Sequence, residues 1–281
     1  MCPLDLSDGF AHNVPLRITL IGCGKMGAAM MQSWIASGLI EYAEVLDPQA
    51  PDELITQHSN IDHVTELSDL SLDKTQAIIL ATKPQIMDDI CGELKGLIPQ
   101  GVAVISVAAG KNTAYFQKNL GEDTPIIRAM PNTPAAANKG MTALFTAENT
   151  DDAYRNIAQS LMSAIGQTLW IEDEQQMDAI TAVSGSGPAY LFHLIEVLAQ
   201  AGEKAGLSAE NAMVLARQTI IGAACLADNT PEITAETLRE NVTSPKGTTE
   251  AALNILMDGR LQSLFDEAIK AAKTRSQKLS S

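Results

Sequence analysis

Apolar and polar positions follow two regimes along the chain. Up to about residue 171, short apolar runs alternate with segments of helical length. Residues 17–22 (RITLIG) read as a buried strand stopped by glycine, and 43–47 (AEVLD) as the next. Further strands are predicted at 77–82, 103–108, 126–130, 141–146 and 168–171. Between them, helices are predicted at 25–37, 85–97, 113–120 and 152–165. The first has an apolar face of Met26, Ala29, Met30 and Trp34, and Gly38 suits its C-cap. Alternating strand and helix predicts a doubly wound, mostly parallel sheet, with the last two strands suited to antiparallel pairing at its edge. Beyond residue 173 no strand pattern remains. Apolar-periodic segments at 188–205, 209–229, 234–241, 248–257 and 261–278 predict an all-helical region. Pro188 fits a first helical turn and Gly206 a C-cap. Ala199, Ala201, Gly202, Gly222, Ala223 and Ala224 would let helices approach closely. The expected organisation is a loose extension over 1–15, an α/β domain over 16–173 and an all-α domain over 174–281.

Apolar residues make up 46% of the 281, enough to fill cores and to exclude wholesale disorder. The formal net charge of −15 argues against nucleic-acid binding by bulk charge, though not against an anionic cofactor held locally by backbone N–H groups. Cys2, Cys23, Cys91 and Cys225 form no CxxC pair, which fits neither a disulfide framework nor a zinc knuckle and suits a reducing cytoplasm. The first fifteen residues lack a signal-peptide pattern, and no membrane span is expected: the most apolar stretch, 189–201, is broken by His193, Glu196 and Gln200. No metal site is expected, since His12, His58, His63 and His193 have no ligand spacing. GxSxG, HExxH and P-loop patterns are absent.

Four segments carry candidate chemistry. Gly22-Cys23-Gly24-Lys25-Met26-Gly27 is a GxGxxG between first strand and first helix. Its glycines permit a tight turn, close approach to a pyrophosphate, and close packing of helix on strand, while the helix N-terminus offers N–H groups to phosphate. Asp47 ends the second strand, where a carboxylate can accept from both ribose hydroxyls of NAD and repel a 2′-phosphate. It favours NADH over NADPH. Second, Ala81-Thr82-Lys83-Pro84 closes a strand, where ligands of open parallel sheets collect. Lys83 could reach phosphate or carboxylate, or simply belong to a turn. Asn132 and Thr133, between Pro131 and Pro134, could contact nicotinamide or substrate, or form a rigid loop. Ala108, Ala109 and Gly110 make a small-residue strand end suited to a cofactor. Third, VSGSGPAY (183–190) could hold an anion or let two segments cross. Fourth, TSPKGTT (243–249) opens a helix and offers either a carboxylate site or ordinary N-capping.

In this order, GCGKMG, ATKP, IIRAMPNTPA, VSGSGPAY and TSPKGTTEAAL resemble pyrroline-5-carboxylate reductase, and the resemblance covers residues 17–280. It implies an N-terminal Rossmann domain and a helical dimerisation domain, assembled as homodimers often grouped into decamers. It also implies reduction of the C=N bond of 1-pyrroline-5-carboxylate to L-proline by NADPH or NADH. By matched positions, Gly22 to Gly27 would hold the pyrophosphate. Ala81, Thr82, Lys83, Pro84, Ala108, Ala109, Gly110 and Asn241 would contact the cofactor. Glu174 aligns with an acid that meets substrate. Gly247, Thr248 and Thr249 align with the proline-binding turn, whose backbone N–H groups would take the substrate carboxylate, and Thr249 with the proton donor. Two departures stand out: Lys246-Gly247 where the family often has Gly-Gly, and Asp47 where many members have Ser, Thr or a base and prefer NADPH.

Two rival readings use the same fold. A related imine or β-hydroxyacid reductase is the first; the β-hydroxyacid enzymes depend on a lysine within a long helix of the second domain, where the helices before the TSPKGTT turn offer Lys204, at a helix end. A dinucleotide-sensing non-enzyme would have no use for VSGSGPAY and TSPKGTT.

Overall fold

A computed structural model describes residues 15–147 and 150–280. Apart from Pro15, the expected N-terminal extension lies outside these residues. The chain divides into two compact units: one reaching Gly185 and regaining the chain from Lys273, the other Ser186–Ala272.

The first unit is built on eight strands: β1 Leu16–Ile21, β2 Ile40–Leu46, β3 Ile61–Val64, β4 Ala77–Leu80, β5 Ala103–Ser106, β6 Ile126–Met130, β7 Gly140–Thr146 and β8 Gly166–Trp170. Their order is β3-β2-β1-β4-β5-β6-β7-β8. The strands from β1 to β6 pair in parallel; β7 runs antiparallel to β6, and β8 parallel to β7. Both final strands are thus reversed, as their position at the edge suggested. β3 was not legible as a strand. It is a four-residue edge carrying Asp62 and His63, so it shows no apolar run, and a short, charged edge strand resists pairing with another chain.

Five helices accompany the sheet: α1 Lys25–Ala36, α2 Asp52–Thr56, α3 Met87–Leu94, α4 Thr113–Leu120 and α5 Asp152–Ser163. The five-residue α2 is too short to show periodicity. The helix expected over 85–97 is shorter, because Pro84–Ile86 form a 3₁₀ turn and Gly96 takes a left-handed φ of 79°. On one sheet face Met30, Met31 and Trp34 pack with Leu161 and Met162, and the Trp34 indole N–H donates to the Leu161 carbonyl at 2.7 Å. On the other, Met87, Cys91 and Leu94 pack with Phe116 and Leu120.

The change from strand to helix falls near the expected residue 173, but the first compact unit does not end there. A 3₁₀ turn at Glu174–Gln176 leads into α6 (Met177–Ile180) and a π-turn at Thr181–Gly185. Met177 is buried with Met130, Ala143 and Ile171, so this segment belongs to the sheet's core despite its helical backbone. Periodicity reports local structure and not which core a helix joins.

The second unit contains α7 Gly187–Lys204, α8 Ala209–Asn229, α9 Ala235–Asn241, α10 Thr248–Leu256 and the first part of α11, Arg260–Ser280. Its own core is slight: Ala199, Ala212 and Ala216, with Ile195 beside them. A methyl on Gly202 would lie 3.3 Å from the Ala212 Cβ, so the small residues do serve close helix contact. Large apolar side chains, among them Phe192, Val214, Leu215, Ile255, Leu256 and Leu264, remain exposed on the single chain. A surface of this kind marks an association face.

One buried acid in the first unit bears on stability. Glu44 on β2 is 5% exposed, and its Oε2 accepts from the Ser71 N–H at 2.8 Å. Burial, aided by the charge of Asp62, raises its pKa above the usual carboxylate range, against the pull of the Ser71 bond. Because the folded state holds this proton more tightly than the unfolded one, stability falls as pH rises through the folded pKa. Glu44→Gln keeps an acceptor for Ser71 and removes the buried charge. Its Tm is expected to exceed wild type by about 1–3 °C at pH 8, with the gain shrinking toward pH 4. A Tm at pH 8 equal to or below wild type would count against a buried ionised Glu44.

Candidate active site

The strand order reverses between β1 and β4, and in open α/β sheets ligands bind outside the carboxyl ends of strands at such a point. Here that place is lined by the GxGxxG turn after β1 and by Ala81, Thr82, Lys83 and Pro84 after β4. Gly22 has φ 96°, and a methyl on it would lie 2.7 Å from the Ala81 carbonyl carbon. A methyl on Gly27 would overlap the Gly22 carbonyl oxygen. Gly24, by contrast, has open space where a side chain would be, and it caps α1 without any side-chain bond. The first-turn N–H groups of Lys25 and Met26 have no acceptors among the described residues. Two glycines shape the turn and the third leaves it open, as a pyrophosphate requires.

Cys23 contributes differently from its neighbours. Its N–H donates to Asp47 Oδ2 at 2.6 Å and so is already engaged. Burial, with Asp47 adding to it, pushes the Cys23 thiol up to about 11, which leaves it protonated and unreactive at neutral pH. Asp47 also accepts from the Gln49 N–H through Oδ1 at 2.8 Å. The carboxylate is thus fixed beside the turn, and each oxygen retains a second lone pair for an incoming hydroxyl. Its bond to Gln49 makes Asp47 a turn residue as well, which is compatible with the ribose reading. Lys83 is exposed.

Ala108, Ala109 and Gly110 follow β5. Gly110 has φ 81°, and the space a methyl would fill is occupied by the chain itself: Leu279 O would lie 2.9 Å away and Leu279 C 3.0 Å. The glycine is required by the end of α11, a constraint that sequence reading did not anticipate.

Glu174 was expected to meet substrate. Its Oε1 accepts from the Thr113 N–H at 2.8 Å and from Arg128 Nη1 at 2.9 Å, and its Oε2 accepts from Thr113 Oγ1 at 2.9 Å. The carboxylate thus ties β6, the start of α4 and the 174–176 turn together, while its side chain stays 22% exposed. Sequence reading missed Arg128, whose side chain is 9% exposed. The available signal was a lone cation inside the apolar run IIRAM, which must find a partner. Asn132 is likewise occupied internally. Its Nδ2 donates to Ser184 O at 3.1 Å and to Ser184 Oγ at 3.2 Å, and its Oδ1 accepts from the Met141 N–H at 2.8 Å. Val183, Ser184 and Gly185 end the π-turn, which is fastened at Ser184, and Ser186 caps α7.

In the second unit, Gly247 caps α10 without a side-chain bond. Lys246 has φ 58°, a conformation glycine adopts freely, and costs about 1 kcal/mol there. Its N–H donates to Glu250 Oε2 at 2.7 Å. The Gly247 N–H donates to the Ser244 carbonyl at 2.9 Å, so it is not available to a carboxylate as expected. Thr248 and Thr249 occupy the first turn of α10, where N–H groups have no intrahelical acceptor. Neither hydroxyl has a partner among the described residues. Asn241 is exposed at the end of α9. The structure thus assembles one cluster in the first unit and a separate turn in the second.

Residues 174–279 match a family described as pyrroline-5-carboxylate reductase dimerisation, and residues 17–110 one described as NADP oxidoreductase coenzyme F420-dependent. A pyrroline-5-carboxylate reductase of Haemophilus influenzae is 37% identical over 264 residues, covering 93% of this chain and 97% of that protein. Among solved structures, a pyrroline-5-carboxylate reductase from Coxiella burnetii superposes with a TM-score of 0.88 at 37% identity, covering 95% of this chain and 100% of the other. The Plasmodium falciparum pyrroline carboxylate reductase with NADP bound has a TM-score of 0.81 at 25% identity, covering 95% and 98%.

Proposed function

The chain belongs to the pyrroline-5-carboxylate reductase family and reduces the C=N bond of 1-pyrroline-5-carboxylate to L-proline as an NAD(P)-dependent oxidoreductase; from that premise we propose which residues hold each reactant. A bound nicotinamide cofactor supplies the hydride. The uncapped first turn of α1, opened by Gly24 and shaped by Gly22 and Gly27, is the observation that carries the cofactor assignment. Lys25 and Met26 donate their N–H groups to the pyrophosphate, and Cys23 acts through its bond to Asp47. Ala81, Thr82, Lys83 and Pro84 border the same switch point, Ala108, Ala109 and Gly110 contact the cofactor at the end of β5, and Asn241 contributes from α9.

The substrate carboxylate is held by the N–H groups of Thr248 and Thr249, in the positive field of the α10 N-terminus. Gly247 shapes that turn. Protonation of the ring nitrogen makes C5 a far better electrophile, and the Thr249 hydroxyl, directly or through a water, passes that proton. Glu174, held in place by Arg128 and Thr113, meets the substrate with its exposed edge. The helical unit is the dimerisation domain, supported by the family match and the exposed apolar side chains. The same reading has homodimers gathering into decamers, as in the family. None of the described helices is long and apolar enough to cross a membrane. We infer a cytoplasmic protein, supported by the free thiols of Cys23, Cys91 and Cys225.

Asp47 makes NADH at least competitive with NADPH. The support is a carboxylate locked 2.6 Å from the turn's own backbone, where it would repel a 2′-phosphate. In pyrroline-5-carboxylate-dependent oxidation of each cofactor, Asp47→Ser is expected to move the kcat/KM ratio toward NADPH by about tenfold, equivalent to about 1.4 kcal/mol. A wild type that strongly prefers NADPH, or an unmoved ratio, would refute this assignment.

A further inference from the structure

We infer that the last turn of α11 is a positioning element for the cofactor: by seating Leu279 on Gly110 it fixes the strand end carrying Ala108, Ala109 and Gly110. The inference rests on the reading of these three residues as cofactor contacts. Residues from Lys273 onward belong to the first compact unit. Within this polar stretch Ser276 is buried, at 6% exposure, and its Oγ donates to Asp178 Oδ1 at 2.6 Å. One turn further on, the Leu279 backbone fills the place of a Gly110 side chain. Leu279 is 46% exposed, and its backbone lies nearest to the Gly110 position, with its Cβ at 3.3 Å, so the contact rests mainly on backbone and little on apolar burial.

Two small residues make this docking possible. Serine at 276 lets the helix approach α6, and glycine at 110 lets a carbonyl meet the loop after β5. The remainder of that loop is already held: Ala108 is buried beside Phe116, and Ala109 packs with Met130 and Met177. Gly110 is the residue with the widest backbone freedom, and it is the one the helix end restrains. A strand end held in one conformation costs a ligand less ordering entropy on binding. Loss of the restraint should therefore weaken cofactor binding and leave the proton-transfer step alone.

The test compares the full chain, Ser276→Ala, and a chain lacking residues 276–281. NADH affinity is measured by nucleotide fluorescence, amide exchange is followed at residues 107–111 with and without NADH, and kcat is separated from KM. Wild type should show protection of 107–111 on adding NADH. The shortened chain should bind NADH about tenfold more weakly, and Ser276→Ala about threefold, with kcat at saturation within about twofold of wild type. Unchanged or tighter NADH binding in both variants, with 107–111 still protected by NADH in wild type, overturns the positioning role and leaves the cofactor site standing. Absence of that protection in wild type overturns the cofactor reading of the strand end, and the inference with it. If the shortened chain does not fold, Ser276→Ala alone decides, with unchanged affinity counting as refutation.

Discussion

Arg128→Met should be among the most destabilising single substitutions in the first unit. The guanidinium is 9% exposed on its side chain and lies 2.9 Å from Glu174, whose side chain is 22% exposed. Breaking a buried pair from one side leaves an uncompensated charge, which typically costs about 3–5 kcal/mol. Glu174 keeps both Thr113 bonds and some contact with water, so a loss of about 2–4 kcal/mol is expected. Denaturant unfolding monitored by Trp34, which is fully buried, would read it. Adding Glu174→Gln to Arg128→Met should recover part of the loss, because the orphaned charge is then gone. Such recovery identifies an electrostatic clamp and separates it from a simple packing defect. A loss below about 1 kcal/mol in Arg128→Met would place the pair among weak surface bridges.

The largest kinetic effect is expected at Thr249. Its hydroxyl has no protein partner among the described residues and sits on the first turn of α10. Thr249→Val nearly preserves shape and removes the O–H. If the hydroxyl relays the proton to the ring nitrogen, kcat should fall by about 10²- to 10⁴-fold. Thr248→Ala keeps the backbone N–H but removes a hydroxyl that adds one hydrogen bond to the substrate carboxylate, so it should act mainly on KM, by uniform binding. The two variants together separate protonation from carboxylate positioning. A kcat for Thr249→Val within about twofold of wild type would mean that water protonates the substrate unaided. The threonine would then serve only to start the helix.

Most of the geometry of the GxGxxG turn was legible from residue order. GCGKMG between an apolar run and an amphipathic segment has one sensible geometry, because Gly22 and Gly27 stand where any side chain would overlap backbone. The reversed edge strands followed from short connections, and the all-helical region from periodicity. Three features were hidden for identifiable reasons. Strand β3 has no apolar run because it is an edge. Arg128 looked like one polar residue in a strand, since nothing local points to a carboxylate at position 174. Gly110 read as a small residue at a strand end, and nothing local showed that residue 279 occupies the place of its missing side chain.

Local sequence determined what each segment becomes: the period of apolar positions, the glycines of a turn and the prolines of a helix start act over a few residues. Tertiary structure decided which groups remain available for chemistry. It engaged Cys23 with Asp47, Glu174 with Arg128 and Thr113, and Gly247 with Ser244, while leaving the Thr248 and Thr249 hydroxyls without partners among the described residues. Most of those pairings join residues far apart in the chain, and buried charges and donors must find partners wherever the fold brings them. A motif can nominate a hydrogen-bonding group, but only the packed structure shows whether another part of the chain has already taken it.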